Sequence, residues 1–181
     1  MKLYRFSPIE TKEQLLQAII YTHLACHQLC EQSLGKYLPV VGDLGVFCHY
    51  DYEYDKLVAI QKELVNFSDS FNGKYFRLNE SITIATQDGV PEATYTHLYV
   101  RKPDPYRSQV GDLDFYMTPD DYSELKSSLT DGKVVKGART FGRADLDMIE
   151  LYDPDIDTLG YLSTHKVTDK EPEQPHLETK L

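Results

Sequence analysis

The sequence predicts an α+β fold in which a strand–helix–strand–strand–strand unit occurs twice, behind an N-terminal helical extension. Three observations predict it. Apolar residues recur at helical spacing up to Gly35, later segments switch to the alternation of half-buried strands, and the tetrapeptide Val-Gly-Asp-Leu stands at 41–44 and again at 110–113. Aligned with one gap, 41–57 and 110–125 also match in a Tyr-x-x-Leu pair, Tyr54 and Leu57 against Tyr122 and Leu125.

Taken in order, "KLYRF" (2–6) is the first strand candidate. Thr11 supplies an N-cap, with Glu13 and Gln14 in the first turn behind it. Leu15, Leu16, Ile19, Ile20, Leu24, Leu29 and Leu34 extend that helix to Gly35, which suits a left-handed stop. An extended stretch broken by Pro39 and Gly42 leads to a strand at 44–48. "DYEYDKLVAIQKELV" (51–65) then reads as an amphipathic helix with acids in its first turn. "KYFRL", "SITIAT" and "TYTHLYVR" read as three strands, with a turn through "QDGVP".

"KPDPYRSQVG", with its prolines and glycine, is the boundary signal between the halves. "DLDFYM" reads as a strand and "TPDDYSELKSSL" as a helix capped by Thr118 with Pro119 at its first position. "GARTFGR", "LDMIELY" and "TLGYLST" read as strands, the last two joined by the turn "DPDID". The expected organisation is a strand and helix extension over 1–40, units over 41–103 and 110–165, and a polar, disordered tail over 166–181.

Composition excludes several function classes. At 41% hydrophobic and 27% charged, the 181 residues read as globular, and no apolar run approaches the ~20 residues that span a bilayer. A net charge of −10 opposes a phosphate backbone, so nucleic acid is not an expected partner. Two stretches concentrate basic residues, Arg101, Lys102 and Arg107 in one and Lys133, Lys136, Arg139 and Arg143 in the other. If these meet in space they can hold one anion. The odd set Cys26, Cys30 and Cys48 suits a reducing compartment, and without a signal-like start the expected location is cytoplasmic.

"MIELYDPDIDTLGYL" (148–162) resembles the closing "E-x-x-DPDG-x-x-x-E-[ILV]" hairpin of the glyoxalase/bleomycin-resistance, or vicinal oxygen chelate, superfamily, whose members are built from paired βαβββ modules. The resemblance covers Val41 to Ser163. It implies a mixed sheet curved around a cleft, with metal ligands from the first and fourth strands of each module. Transferred to this chain, those positions fall on His49, on Tyr116 or Asp114, on His97 or Tyr99, and on Tyr161. The glutamate expected after "DPDG" is replaced by Gly160 and Tyr161, and the 1–40 extension has no counterpart. A set of two histidines with tyrosines is thin for zinc, iron or manganese, so a divalent metal is disfavoured and the cofactor is left unassigned.

His97 and His49 are therefore the candidate catalytic residues. Tyr99, Arg101, Arg107, Asp114, Tyr116 and Tyr161 are the candidate ligand-binding residues, and regular alternation puts His97 on one face with Tyr95 and Tyr99. Asp112 and Asp114 point the same way on a strand, and if both are buried one titrates upward as an acid or base. "HLACHQLC" (23–30) reads as a packed helix face and not a metal site, because Cys30 lies about 10 Å along the axis from His23. The acids from Asp145 to Asp157 lack EF-hand spacing and read as a solvated hairpin.

Three readings stay open: a cleft that binds or transforms a small polar or anionic molecule, a non-catalytic protein–protein interaction module, and a divalent-metal-dependent lyase or dioxygenase of the vicinal oxygen chelate type. The expected partners are a small-molecule ligand and, for self-association, a homodimer. Membranes and nucleic acid are not expected partners.

Overall fold

The computed structural model describes residues 4–71, 75–143 and 146–165. Chain order is α1 (Lys12–Leu34), β1 (Val40–Phe47), α2 (Asp51–Leu64), β2 (Val65–Phe71), β3 (Tyr75–Ile84), β4 (Ala93–Arg101), β5 (Gly111–Tyr116), α3 (Pro119–Thr130), β6 (Ala138–Arg143), β7 (Leu146–Leu151) and β8 (Thr158–Ser163). The helix ends follow from local chemistry. Thr11 Oγ1 accepts from the Gln14 N–H at 3.2 Å while Gln14 Oε1 accepts from the Thr11 N–H, and Gly35 closes α1 at φ 68°. At α3, Thr118 caps the Asp121 N–H and Pro119 fills the first turn, where its missing N–H costs nothing.

The eight strands form one mixed sheet in the order β2-β3-β4-β1-β5-β8-β7-β6. β1 runs parallel to β4, and β5 runs parallel to β8. The two central strands are antiparallel, and Leu44 faces Leu113 across the seam, so the two Val-Gly-Asp-Leu tetrads meet at the middle of the sheet. α1 lies over β1, β5 and β8, with α2 over the β2–β4 side and α3 against β6. All three helices cover one face, where Leu44, Val46, Leu98, Leu113, Phe115, Ile149 and Leu162 pack against α1 and α2 residues such as Leu15, Ile19, Leu29 and Leu57. The alternate residues of the same strands lie on the opposite, polar face.

Several sequence expectations change. Residues 4–6 of "KLYRF" form no strand: Phe6 stands at φ 67° two residues before Pro8, which turns the chain, and residues 1–3 lie outside the described residues. Gly42 does not break β1. At φ 109° it takes up a register shift between Val40 and Leu44, a bulge that only glycine enters without strain. "KYFRL" and "SITIAT" are one strand, β3, and "VNFSDSF" is the edge strand β2, whose serines and aspartate conceal it because an edge needs little apolar patterning. The expected tail lies outside the described residues.

The face assignment on β4 also needs correcting. Ala93 and Tyr95 join the helix-side core, and so do Leu98 and Val100, so the alternation slips once at Thr96–His97. Thr96 Oγ1 donates to the Gly42 carbonyl at 3.2 Å, next to the β1 bulge. Tyr95 thus points at α1, where its hydroxyl meets His23 Nδ1 at 2.7 Å, while His97 and Tyr99 lie on the other face.

Candidate functional site

The polar face is ordered in rows by strand pairing. Arg77, His97 and Asp43 stand in register across β3, β4 and β1. The next row holds Tyr75, Tyr99, Gly45, Asp112 and Leu159, and a third holds Asp114, Tyr161, Glu150 and Arg139. Sequence repetition accounts for part of this: strands carrying Asp43 and Asp112 at matching points of the tetrad deliver both carboxylates to one side.

Gly45 makes the centre possible. A Cβ built there would stand 1.9 Å from Asp112 Oδ1, so the carboxyl of Asp112 occupies the space a side chain at 45 would take. Asp112 is 7% exposed, and its carboxyl is pushed up to about 7, first by burial and then by Asp114; Arg101, Arg107 and a Gly45 backbone hydrogen bond oppose the rise. Around it, burial pushes the hydroxyls of Tyr75, Tyr99 and Tyr161 upward, so they are neutral donors at physiological pH.

Two arginines flank this centre. Arg101 lies over the Phe47 ring with its guanidinium carbon 3.5 Å from the centroid, on the apolar patch formed by Phe47, Leu159 and Tyr161. Its Nε and Nη2 atoms are buried without a hydrogen-bond partner among the described residues. These two atoms form the side edge of the guanidinium, the edge that binds a carboxylate or phosphate bidentately. Burial lowers the pKa of Arg101, and Asp112 partly restores it.

Arg107 arrives from the loop between β4 and β5. It donates from Nη1 to the Tyr161 hydroxyl at 3.2 Å and stands 3.7 Å from Glu150 Oε1. Arg139 Nε donates to the other Glu150 oxygen at 2.6 Å. The two basic stretches do meet, and Glu150, 1% exposed, is the point at which they meet. The acidic hairpin is therefore not wholly solvated. Asp157 is also engaged, by Arg5 at 3.1 Å and the Tyr21 hydroxyl.

The two candidate histidines do not converge. His97 stands at the Asp43 level of β1, whereas His49 lies six residues further along, roughly 20 Å at ~3.3 Å per residue. His49 is held by structure. Its ring stacks on Tyr4 at 3.8 Å, its Nδ1 meets Ser7 Oγ at 2.8 Å and its Nε2 meets the Gln109 carbonyl at 3.1 Å. Because the carbonyl can only accept, Nε2 carries the proton and Nδ1 accepts from Ser7, a neutral ring with both nitrogens used. Burial lowers its pKa accordingly. Tyr116 sits one row beyond Asp114, opposite Ser163.

At the ends of β5 and β8, beside α3, lies a cavity of about 510 Å³ whose lining takes in Asp114 from the polar face and Tyr122 and Leu162 from the helix side. Asp114 belongs to both the sheet face and this cavity. "HLACHQLC" is a packed helix face: Cys26, Cys30, His23 and His27 are buried, His27 Nδ1 donates to the His23 carbonyl at 2.8 Å, and burial, then His27, brings His23 down to about 4. Burial raises the Cys26 and Cys30 thiols, which keeps them protonated.

The resemblance implies a metal held by the first and fourth strands of each half. Those strands carry Asp43, His97, Asp112, Asp114 and Tyr161 on this face, yet no three His, Cys, Asp or Glu side chains among the described residues are placed to share an ion. The donor set does not fit that metal, since Tyr161 and Arg107 take the place of a ligating carboxylate.

No protein-family model matches the sequence, and no curated protein matches it at a significant level. Among solved structures, the chain is similar to a structural-genomics protein, Protein EC4020, at 13% identity over 90% of this chain and 92% of that one, with a TM-score of 0.50. That likeness is one of fold. Weak similarity extends to methylmalonyl-CoA epimerase structures. A variant from Streptomyces coelicolor in complex with 2-nitronate-propionyl-CoA aligns over 70% of this chain and 98% of its own at 12% identity and TM-score 0.30. A methylmalonyl-CoA epimerase in complex with methylmalonyl-CoA and NH4+ aligns over 75% and 99%, also at 12% and 0.30. No described helix is long and apolar enough to cross a membrane.

Proposed function

We propose that the chain consists of two strand–helix–three-strand modules leaning together at the β1–β5 seam, and that the polar face between them binds a small organic anion whose proton Asp112 moves. The palindromic strand order and the Leu44–Leu113 pairing support the first part. The observation that carries the second is the buried Asp112 carboxyl, poised to titrate near neutrality beside the unsatisfied side edge of Arg101.

In this reading Arg101 and Arg107 hold the anionic group of the ligand, and Tyr99 donates a hydrogen bond to its oxygens; the Tyr161 hydroxyl already donates to Glu150 Oε1 and accepts from Arg107 Nη1. Asp112, as carboxylate, takes a proton from the ligand and, as carboxylic acid, returns it. That exchange is redox-neutral and needs no further reactant. His97 and Asp43 lie one row away along the sheet, within reach of a ligand larger than its anionic head. Tyr116 and Asp114 line the far side.

The test is calorimetric titration of small carboxylates and phosphates into the full chain across pH 5 to 9. Binding should weaken as pH rises through about 7, because the protonated Asp112 tolerates an anion and the ionised one repels it. In Asp112→Asn that dependence should vanish, and Arg101→Met should lose about tenfold or more in affinity. The absence of binding by every anion in wild type, or equal binding by Arg101→Met, would overturn the reading.

A further inference from the structure

The side edge of Arg101 is both unpartnered and shut off from solvent. Its Nε and Nη2 atoms are buried without a hydrogen-bond partner among the described residues, and the guanidinium lies flat over the Phe47 ring. A buried charged donor left unmatched is costly, so this edge is held for a partner that must first get in. Beside it Phe47 and Leu159 are 2% and 1% exposed, although all three helices pack on the opposite face of the sheet.

The chain that passes there is segment 102–110, which joins β4 to β5 across the end of β1. Both of its ends are tied down. Lys102 lies over the Tyr54 ring at 5.5 Å, the Gln109 carbonyl accepts from His49 Nε2, and the Val110 carbonyl and N–H bond to the Phe47 N–H and the Asp157 carbonyl. Between them Pro103 and Pro105 flank Asp104, which closes a turn by accepting the Tyr106 N–H at 2.9 Å on its carboxylate and the Arg107 N–H at 3.2 Å on its carbonyl. From this turn Arg107 reaches the Tyr161 hydroxyl and Glu150. Those two lie well back along the face: Asp114, the strand neighbour of Tyr161, is about 10 Å down β5 from Gly111 at ~3.3 Å per residue. Arg107 thus draws the middle of the segment over the face.

Glu150 is placed to release it. Arg139 donates to Glu150 Oε2 at 2.6 Å and the Tyr161 hydroxyl donates to Oε1 at 3.3 Å, so the buried carboxylate keeps a countercharge and a donor when Arg107 leaves. We infer that segment 102–110 is a strap over the anion site, pinned by Arg107 on Glu150, and that an entering anion reaches Arg101 by taking Arg107 from Glu150. This rests on the anion reading above and adds how the site is opened: Glu150 stands in for the ligand's anionic group until the ligand arrives.

The experiment reads access to Arg101 with no ligand present. The full chain is treated with the arginine reagent phenylglyoxal, modification of Arg101 and of the more exposed Arg5 is followed by peptide mass spectrometry, and iodoacetamide labelling of buried Cys26 is run in parallel to register unfolding. In wild type Arg101 should react about tenfold or more slowly than Arg5. Glu150→Gln and Arg107→Met should each raise the Arg101 rate about tenfold and leave Arg5 and Cys26 as in wild type. Affinities for inorganic phosphate and acetate, measured by calorimetry, should then part: tighter in Glu150→Gln, where no internal carboxylate competes, and weaker in Arg107→Met, which lacks the second arginine. Arg101 reacting as fast as Arg5 in wild type, an unchanged Arg101 rate in either variant, or a rise matched at Cys26 would overturn the strap and leave the anion reading standing. Arg101 rates as expected, with neither anion bound by any of the three proteins, would overturn the anion reading while the strap stands.

Discussion

The two ends of the polar face are made from matching parts and finished differently. At one, the Cys48 N–H donates to the Arg101 carbonyl where β1 and β4 stop; at the other, the Met117 N–H donates to the Ser163 carbonyl where β5 and β8 stop. A helix starts at each, and Tyr54 and Tyr122 each follow their N-cap by four residues. Yet the first end is filled and the second holds the cavity. After the fourth strand the first half continues with Arg101 and Lys102, the latter over the Tyr54 ring at 5.5 Å, and the N-terminal segment is tied down there through His49 and Glu53. At the second end stand Ser163 and Thr164, which are too short to fill the space. The side chains just past the strand ends decide which end stays open.

Closure of the first end rests most heavily on Glu53. This carboxylate, 0% exposed, accepts the N–H groups of Ile9 at 2.8 Å, His49 at 2.7 Å and Tyr50 at 3.2 Å. Glu53→Leu orphans all three donors and should cost about 3 kcal/mol or more of unfolding free energy in urea melts. A loss below about 1 kcal/mol would mean the first end is not closed by this contact.

Next comes Gly45→Ala, which sets a methyl group against the Asp112 carboxyl. Overpacking of this kind should cost about 2 kcal/mol. Most of that should return in Asp112→Ala, where the obstructing carboxyl is gone; a double-mutant cycle with no coupling would remove Asp112 from its place over Gly45. Asp112 itself gives a pH signature of similar size. Its proton is held to about 7 in the native state but leaves near 3.8 when unfolded. The native state therefore binds more protons across that window, and the group's contribution to stability falls as pH rises from about 4 to 7. Asp112→Asn should gain about 2 kcal/mol on wild type between pH 5 and pH 8. A constant difference between the two proteins would show that the carboxyl titrates normally.

Much of the scaffold was legible in the chain. Thr11, Gly35, Thr118 and Pro119 marked helix ends by chemistry that acts within a few residues, and the repeated tetrad marked the strands that meet at the seam. Asp112 and Asp114 were readable as a same-face pair for the same reason. What escaped depends on distance in sequence. The β4 slip at Thr96–His97 coincides with a bulge at Gly42, more than fifty residues earlier, and with a register shift against β3 between Arg77 and Ile82, so alternation alone put Tyr95 on the wrong face. The joining of Arg107 and Arg139 at Glu150 needs three separate segments, and no spacing encodes it. His49 looked available because nothing local announces Tyr4 and Ser7 as its partners. Gly45 carried no signal until its strand neighbour was known.

The smallest effect belongs to His49, and it separates the two ends most cleanly. His49→Phe keeps the stack on Tyr4 but removes the hydrogen bonds to Ser7 and the Gln109 carbonyl. The loss should be about 1 kcal/mol, the usual net worth of such bonds at a half-buried position. Anion affinity should stay within about twofold of wild type, because both ring nitrogens are already used, by Ser7 and by the Gln109 carbonyl. An affinity loss comparable to that of Arg101→Met would extend the anion site from Arg101 to the His49 ring. The N-terminal segment that holds the ring would then be a part that yields to ligand.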